Sequence, residues 1–347
     1  MRAVLDSNGR LVRKASPTMT DNQLLEALRW MLKGRIYDER AGILQRQGRY
    51  GVFSPAVGQE ATVVGASMAL DPARDWIVPQ YRELMAVVRH GYPLEMVAAN
   101  SMGRGSDATR IPDGVNVLPN QIAVSAQLPQ AAGLAWGLKL QGKDAVVLTF
   151  VGDGGSSEGD FHEGLNLAGV VKAPVVFIVH NNQWAISTPR RVQSAAPSFA
   201  VRAAGYGFSG HEVDGNDVMA VHESVASAVR LARGGGGPTL IEAVTYRMGF
   251  HNSSDNPTRY EDITAHEEAG KRDPIERVVK YLRSRRILDQ EKELALRSEV
   301  AAEVDGALVA AESYPLPRAS DLFEHVYAVP PERLRRQRTS QSGGDSV

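Results

Sequence analysis

The sequence predicts an α/β protein: a mostly parallel sheet with helices on both faces, extended by helices at its amino and carboxyl ends. Three observations carry that expectation. Ala145–Val151 and Ala173–Val179 are apolar, β-branched runs of about seven residues, short of the roughly twenty that a membrane-spanning helix needs. Neither alternates polar with apolar residues, so both read as strands buried on both faces. Helical patterns separate them, which is the order of a parallel sheet.

Along the chain, residues 1–19 read as an extended or mobile arm. Thr20-Asp21-Asn22-Gln23 is a capping-box pattern that opens a long helix with Leu24, Leu28, Leu32 and Ile36 on one face. Helices are expected over Gln59–Leu70, stopped by Asp71-Pro72, over about Arg82–His90, and after Pro93. Residues 103–126, rich in Gly, Pro, Asn, Asp and Ser, form a long ordered loop, and its length suggests a functional role. Leu128-Pro129 opens a helix to about Gln141, with Pro at the first turn. Then follow a strand Ala145–Val151, a helix Glu158–Val171, a strand Pro174–His180 and a helix near Ala195–Gly205. A strand at His211–Val213, a helix Asp217–Arg233 and a strand Pro238–Tyr246 complete the alternation. After Asp273 the stripes Ile275/Val278/Val279/Leu282 and Leu296/Val300/Val304/Leu308 are helical core faces. The main domain is placed at residues 20–290, a helical extension at 291–329, and a solvated, disordered tail at 330–347.

The 347 residues carry 39 Lys+Arg against 40 Asp+Glu, a net charge of −1, which argues against nucleic-acid or anionic-membrane binding. With no cysteine, disulfides, thiolate nucleophiles, iron–sulfur clusters and cysteine-ligated zinc are excluded. Met1–Arg10 has no apolar signal region, and a bacterial cytoplasmic location is the expectation.

In open parallel sheets, ligands bind at the carboxyl ends of strands. One strand here ends in Gly152-Asp153-Gly154-Gly155 and the next in Asn181-Asn182, with 26 residues between Gly154 and Asn181, room for one crossover helix. Glycines let backbone amides approach an anion, while Asp153 and an asparagine amide oxygen are hard ligands of the kind Mg²⁺ prefers. Ser157 and Asp160 form a second capping-box pattern, which would aim a helix N-terminus at the same spot. Each part alone is a common turn, but at this spacing they describe a magnesium–diphosphate site. No Gly-Lys-Ser/Thr follows, so this is no Walker loop, and the dinucleotide fingerprint Gly-x-Gly-x-x-Gly is missing too, which counts against a nucleotide-binding oxidoreductase.

Gly152-Asp153-Gly154-Gly155-Ser156-Ser157-Glu158-Gly159-Asp160-Phe161, closing with Asn181-Asn182-Gln183-Trp184-Ala185-Ile186-Ser187-Thr188, resembles the thiamine-diphosphate motif of E1 α subunits of 2-oxo acid dehydrogenase complexes. The likeness spans roughly residues 20–290. It takes in Val57-Gly58-Gln59-Glu60, Pro79-Gln80-Tyr81-Arg82, Ile111-Pro112-Asp113-Gly114-Val115-Asn116, Leu128-Pro129-Gln130-Ala131-Ala132-Gly133 and Asp255-Asn256-Pro257-Thr258-Arg259-Tyr260.

The resemblance implies the diphosphate-binding half of the thiamine-diphosphate fold. It places Mg²⁺ on the side chains of Asp153 and Asn182 and the carbonyl of Trp184. Gln80, Tyr81 and Arg82 fall at the diphosphate, with Gly152, Gly154 and Gly155 beside it, Val124 near the aminopyrimidine, and His251 at the diphosphate or the reacting centre. Asp160 and Glu163 would belong to an acidic path between paired active sites. The loop Met102–Arg110 lacks the histidine many relatives carry, and Asn252 stands where mitochondrial relatives have a phosphorylated serine. No pyrimidine-binding half is recognisable, so the resemblance implies a separate E1 β subunit in an α₂β₂ heterotetramer and transfer of the acyl group to a lipoyl-bearing E2. The substrate is a small 2-oxo acid, with pyruvate favoured and branched-chain acids the alternative. A non-catalytic interaction subunit retaining the fold is the reading from a different class, opposed by intact Asp153, Asn182, Arg82 and His251.

Overall fold

A computed structural model describes residues 1–17, 19–105, 110–324 and 326–342. In chain order the elements are α1 (Asp21–Arg46), α2 (Glu60–Met68), β1 (Trp76–Val78), α3 (Leu84–Arg89), α4 (Leu94–Ser101), α5 (Gln127–Leu140), β2 (Val147–Gly152), α6 (Gly159–Val171) and β3 (Val175–Asn181). There follow β4 (Trp184–Ala185), β5 (Thr188–Pro189), α7 (Arg190–Gln193), β6 (Ser209–Asp214), α8 (Val218–Arg233), β7 (Thr239–Val244), α9 (Ile263–Gly270), α10 (Pro274–Ser284), α11 (Gln290–Glu312) and α12 (Glu332–Ser342). The main sheet has the order β1-β2-β3-β7-β6, and every pairing in it is parallel.

Period-two alternation with both faces buried explains why the central strands are mostly apolar. Val146, Leu148, Phe150, Val176 and Ile178 join a core shared with α1, α2, α8, α10 and α11. Val147, Val151, Val175, Phe177 and Val179 pack on the opposite face against α5 and α6 through Leu128, Ala131, Phe161 and Leu165. Both faces are therefore covered, as the sequence predicts. The register sets Gly152 opposite His180 and Asn181 opposite Val244, so β2, β3 and β7 end together on one edge.

Helix starts follow their capping chemistry. Thr20 Oγ1 accepts from Gln23 N at 3.3 Å while Gln23 Oε1 accepts from Thr20 N at 2.8 Å, the reciprocal box. Asp273 caps α10, with Pro274 in the first turn, and Asp289 caps α11. Val300, Val304 and Leu308 of α11 are buried in the same core as Leu24 and Leu28 of α1, so α11 is one body with the domain.

Four expectations change. The sequence pattern missed β1, because three residues are too few to show a period; it pairs as an edge strand, Ile77 opposite Leu148. The helix expected near Ala195–Gly205 is instead the short α7 and a 3₁₀ segment Ala200–Tyr206. Pro197 between them cannot supply the backbone donor a continuous helix requires. The amino-terminal arm is docked rather than mobile: Arg2 bridges to Val213 beside β6, and Val4 and Leu5 are buried. The tail expected to be disordered forms α12. None of its described side chains is buried, so the polarity was read correctly, but Arg and Gln are good helix formers and Arg336 Nε donates to Glu332 Oε1 one turn back at 3.0 Å. Residues 106–109 of the long loop and 343–347 of the tail lie outside the described residues.

Asp217 secures the arm. Its Oδ2 accepts from Val4 N and Leu5 N at 2.6 Å each, and its Oδ1 accepts from Met219 N and Ala220 N at the start of α8. Asp217→Ala removes a helix cap, worth about 1 kcal/mol, and strands two buried donors at about 1–3 kcal/mol. Urea unfolding should show a loss of about 2–4 kcal/mol with an unchanged slope; a loss under about 0.5 kcal/mol would contradict this account.

Candidate active site

The site grows from the ends of β2 and β3. Asp153 N donates to the His180 carbonyl at 3.0 Å, carrying the ladder one step past Gly152 and setting Asp153 beside Asn181-Asn182. The chain then tightens into a 3₁₀ turn, Gly154–Ser157, with Ser156 Oγ donating to the Asp153 carbonyl at 2.7 Å. Only glycine fits at its first two positions. A Cβ on Gly154 would lie 2.5 Å from the Ala185 Cβ, and one on Gly155 would lie 2.4 Å from Val151 Cγ2. Ser125, held at a φ of 70°, donates Oγ to the Gly155 carbonyl at 2.7 Å. The second capping box does not form: the turn absorbs Ser157, and α6 begins after Glu158 with no side-chain cap.

Asn182 is fixed from both ends of its amide. Oδ1 accepts from Trp184 N at 3.2 Å, and Nδ2 donates to Gln59 Oε1 at 3.0 Å. The β4–β5 hairpin that follows takes positive φ at Gln183 and Ile186, and the Trp184 ring packs on Tyr260 with centroids 5.3 Å apart.

Across the cleft stands Tyr81-Arg82-Glu83, just before α3. The buried Arg82 guanidinium donates to the Pro55 carbonyl at 2.6 Å and the His251 carbonyl at 3.2 Å, and lies 3.3 Å from His251 Nδ1. The His251 loop has its own brace. Asp255 Oδ2 accepts from His251 N at 2.7 Å and from the Tyr260 hydroxyl at 2.5 Å, while Arg247 donates to that hydroxyl at 2.7 Å and to the Ile186 carbonyl at 2.8 Å. Arg247 thus joins the hairpin to the histidine loop.

These walls enclose a cleft of about 210 Å³. Gln80, Tyr81, Arg82, Val124, Gly152, Asp153, Gly154, Gly155, Asn182, Trp184 and His251 all line it, every expected cofactor and metal residue. Asp160 and Glu163 are not in its lining; they sit in the first turns of α6, and Glu163 is exposed. Sequence reading gave no role to Gln59 or Glu83 and took His180 as structural, yet all three also line the cleft. Gln59 and Glu83 lie inside or next to quoted motifs, and His180 sits at the end of an expected strand, so proximity was the available signal.

Burial controls the electrostatics. Asp153, 1% exposed, is pushed up to about 6 by loss of water, with the Gln193 amide partly offsetting this. Among the described residues it forms no salt bridge. A buried carboxylate without a cation suits a divalent metal. Three acidic or histidine ligands converge nowhere among the described residues; the donors here are one carboxylate, one amide and one carbonyl, the oxygen set Mg²⁺ takes. Burial, with Arg82, lowers His180 to about 3, and burial with Arg82 and Arg247 lowers His251 to about 4. Both imidazoles are therefore neutral at pH 7, and the two arginines give the cleft a field for a polyanion.

The model for the family described as dehydrogenase E1 component matches residues 28–320. The chain belongs to that family. It is 40% identical over 339 residues, 97% of its length, to proteins named pyruvate dehydrogenase E1 component subunit alpha from Staphylococcus aureus strain Mu50 and Staphylococcus epidermidis strain RP62A, covering 91% of each. The E1 chain is thus an α-type component of a thiamine-diphosphate-dependent 2-oxo acid dehydrogenase. No helix among its described residues is long and apolar enough to cross a membrane.

Glu83, buried below Arg82, is pushed up to about 7 by loss of water, against the pull of Arg82. Its folded value lies above the unfolded one, so its contribution to stability is complete below about pH 4.3 and is lost as pH rises through about 7. In the cofactor-free protein, Glu83→Gln should gain on the order of 2 kcal/mol relative to wild type between about pH 4.5 and 7.5. Denaturant midpoints at the two pH values measure this, and a pH-independent difference would refute it.

Proposed function

We propose that this chain is the α subunit of a pyruvate-oxidising E1 component, acting with Mg²⁺, paired with a β subunit in an α₂β₂ assembly and serving a lipoyl-bearing E2. The observation that carries this reading is the convergence of Asp153, Asn182, Arg82 and His251 on one cleft. The names of the staphylococcal relatives support pyruvate as the substrate.

The side chains of Asp153 and Asn182 and the Trp184 carbonyl would hold Mg²⁺. Arg82, Tyr81, Gln80 and the turn Gly152–Gly155 would take the diphosphate, a guanidinium being matched to phosphate oxygens. Val124, at the cleft edge, would meet the aminopyrimidine. Thiamine diphosphate supplies the nucleophilic carbon and the electron sink by which a 2-oxo acid loses CO₂. His251, kept neutral, can accept or return a proton near the reacting carbonyl. Asp160 and Glu163, three residues apart on one face of α6, would serve the acidic path toward a second active site. Ile122, Val124 and Ile186 are exposed apolar side chains at the cleft region, a surface suited to cover by a β subunit that keeps water out.

The α and β chains, produced together, should decarboxylate pyruvate faster than 3-methyl-2-oxobutanoate. The opposite order would move the assignment to branched-chain substrates. Asp153→Ala should lower turnover about a hundredfold or more and abolish Mg²⁺-dependent thiamine diphosphate binding. Wild-type-like binding in that variant would remove the metal site from the proposal.

A further inference from the structure

Gln193 closes the four-residue helix α7, and its side chain reaches back to the Asp153 carboxylate. Nε2 donates to Asp153 Oδ2 at 3.1 Å and to the Thr188 carbonyl at 3.0 Å. Both partners are acceptors, so only the NH₂ end of the amide fits between them. The opposite end, Oε1, is buried without a hydrogen-bond partner. Thr188 lies in β5, which pairs with β4 so that Ala185 faces Thr188 and Trp184 faces Pro189. One amide group therefore ties the Asp153 carboxylate to the hairpin that carries the Trp184 carbonyl.

A neutral amide occupies one carboxylate oxygen without cancelling the charge, as an arginine or lysine would. With Oδ2 engaged, Oδ1 is the oxygen left for a cation. Mg²⁺ takes single carboxylate oxygens in near-octahedral geometry and retains waters, whereas Ca²⁺ accepts bidentate carboxylates and irregular shells. Resting on the function proposed above, we propose that Gln193 is a positioning residue for the metal: from outside the cleft wall it holds Asp153 in a one-oxygen presentation that favours Mg²⁺ over Ca²⁺.

The test uses the α chain produced with its β chain, in wild type, Gln193→Ala and Gln193→Met. Methionine keeps the length and burial of the side chain and loses only the amide, so it carries the comparison if the alanine variant does not assemble. Calorimetric dissociation constants for Mg²⁺ and for Ca²⁺ are measured at saturating thiamine diphosphate, together with the melting midpoint of the cofactor-free assembly. Mg²⁺ affinity should fall about ten- to hundredfold, Ca²⁺ affinity by less than about threefold, and the midpoint should move by no more than about 2 °C. Equal losses for both metals would mark a general loosening and overturn the proposal, as would unchanged Mg²⁺ affinity. A wild-type assembly that binds no Mg²⁺ with thiamine diphosphate would instead overturn the functional reading beneath it.

Discussion

Removing a carboxylate from water is costly unless something charged or polar replaces the water. Asp153 meets that condition with an amide from Gln193 and with its place at the end of β2, and no arginine or lysine is bonded to it. The surrounding arrangement follows from this constraint. The register of β2 against β3 delivers Asn182 to the same spot, the glycine turn leaves room above it, and the hairpin folds back to bring Trp184 alongside. Arg82, in the cleft wall, is engaged on backbone carbonyls, and the fully buried Arg247 is engaged on the Ile186 carbonyl, Tyr260 and the Glu261 carboxylate. The site therefore keeps the Arg82 guanidinium for an anion and the Asp153 carboxylate for a metal without letting the two pair.

That separation is maintained by cross-bracing between segments far apart in the chain. Arg82 holds the Pro55 and His251 carbonyls, Asn182 holds Gln59, and Arg247 holds both the hairpin and Tyr260. Asp255 then fixes the backbone of His251 through its amide. A histidine on a loop is a poor acid–base group unless its backbone is fixed, because catalysis needs the ring within hydrogen-bond reach of the reacting atom. Tyr260 and Asp255 supply that rigidity from within the Asp255–Tyr260 segment that the sequence resemblance already singled out.

What the sequence made legible was what depends on local pattern. Apolar runs without alternation gave β2, β3 and β7; capping residues gave the start of α1; the strand-end Gly-Asp-Gly and Asn-Asn gave the site. What it hid depends on distance along the chain. Gln59 reaches Asn182 across 123 residues, and Gln193 reaches Asp153 across 40, and no period or spacing encodes such a pair. The Ser157 box failed because a pattern match cannot see the 3₁₀ turn that spends that serine before the helix begins. The tail was misjudged for a different reason: composition reports whether a segment can bury surface, and α12 buries none of its described side chains, yet local propensity and the ion pairs of Glu332 with Arg335 and Arg336 favour helical backbone without a core.

The amino-terminal arm shows how the same logic extends beyond the site. Residues 1–10 carry no long apolar run and no helical or strand period, and pattern alone makes them look free. Yet Asp217, whose sequence role is only to cap α8, has a second carboxylate oxygen, and it takes the amides of Val4 and Leu5. Arg2 then pairs beside β6, with Arg2 N donating to the Glu212 carbonyl at 3.1 Å and Asp214 N to the Arg2 carbonyl at 2.8 Å. Because β6 is an edge strand, its outer hydrogen-bonding groups would otherwise face solvent or another chain. The arm covers part of that edge, so a segment that looks dispensable in sequence protects the sheet whose opposite strands, β2 and β3, carry the site.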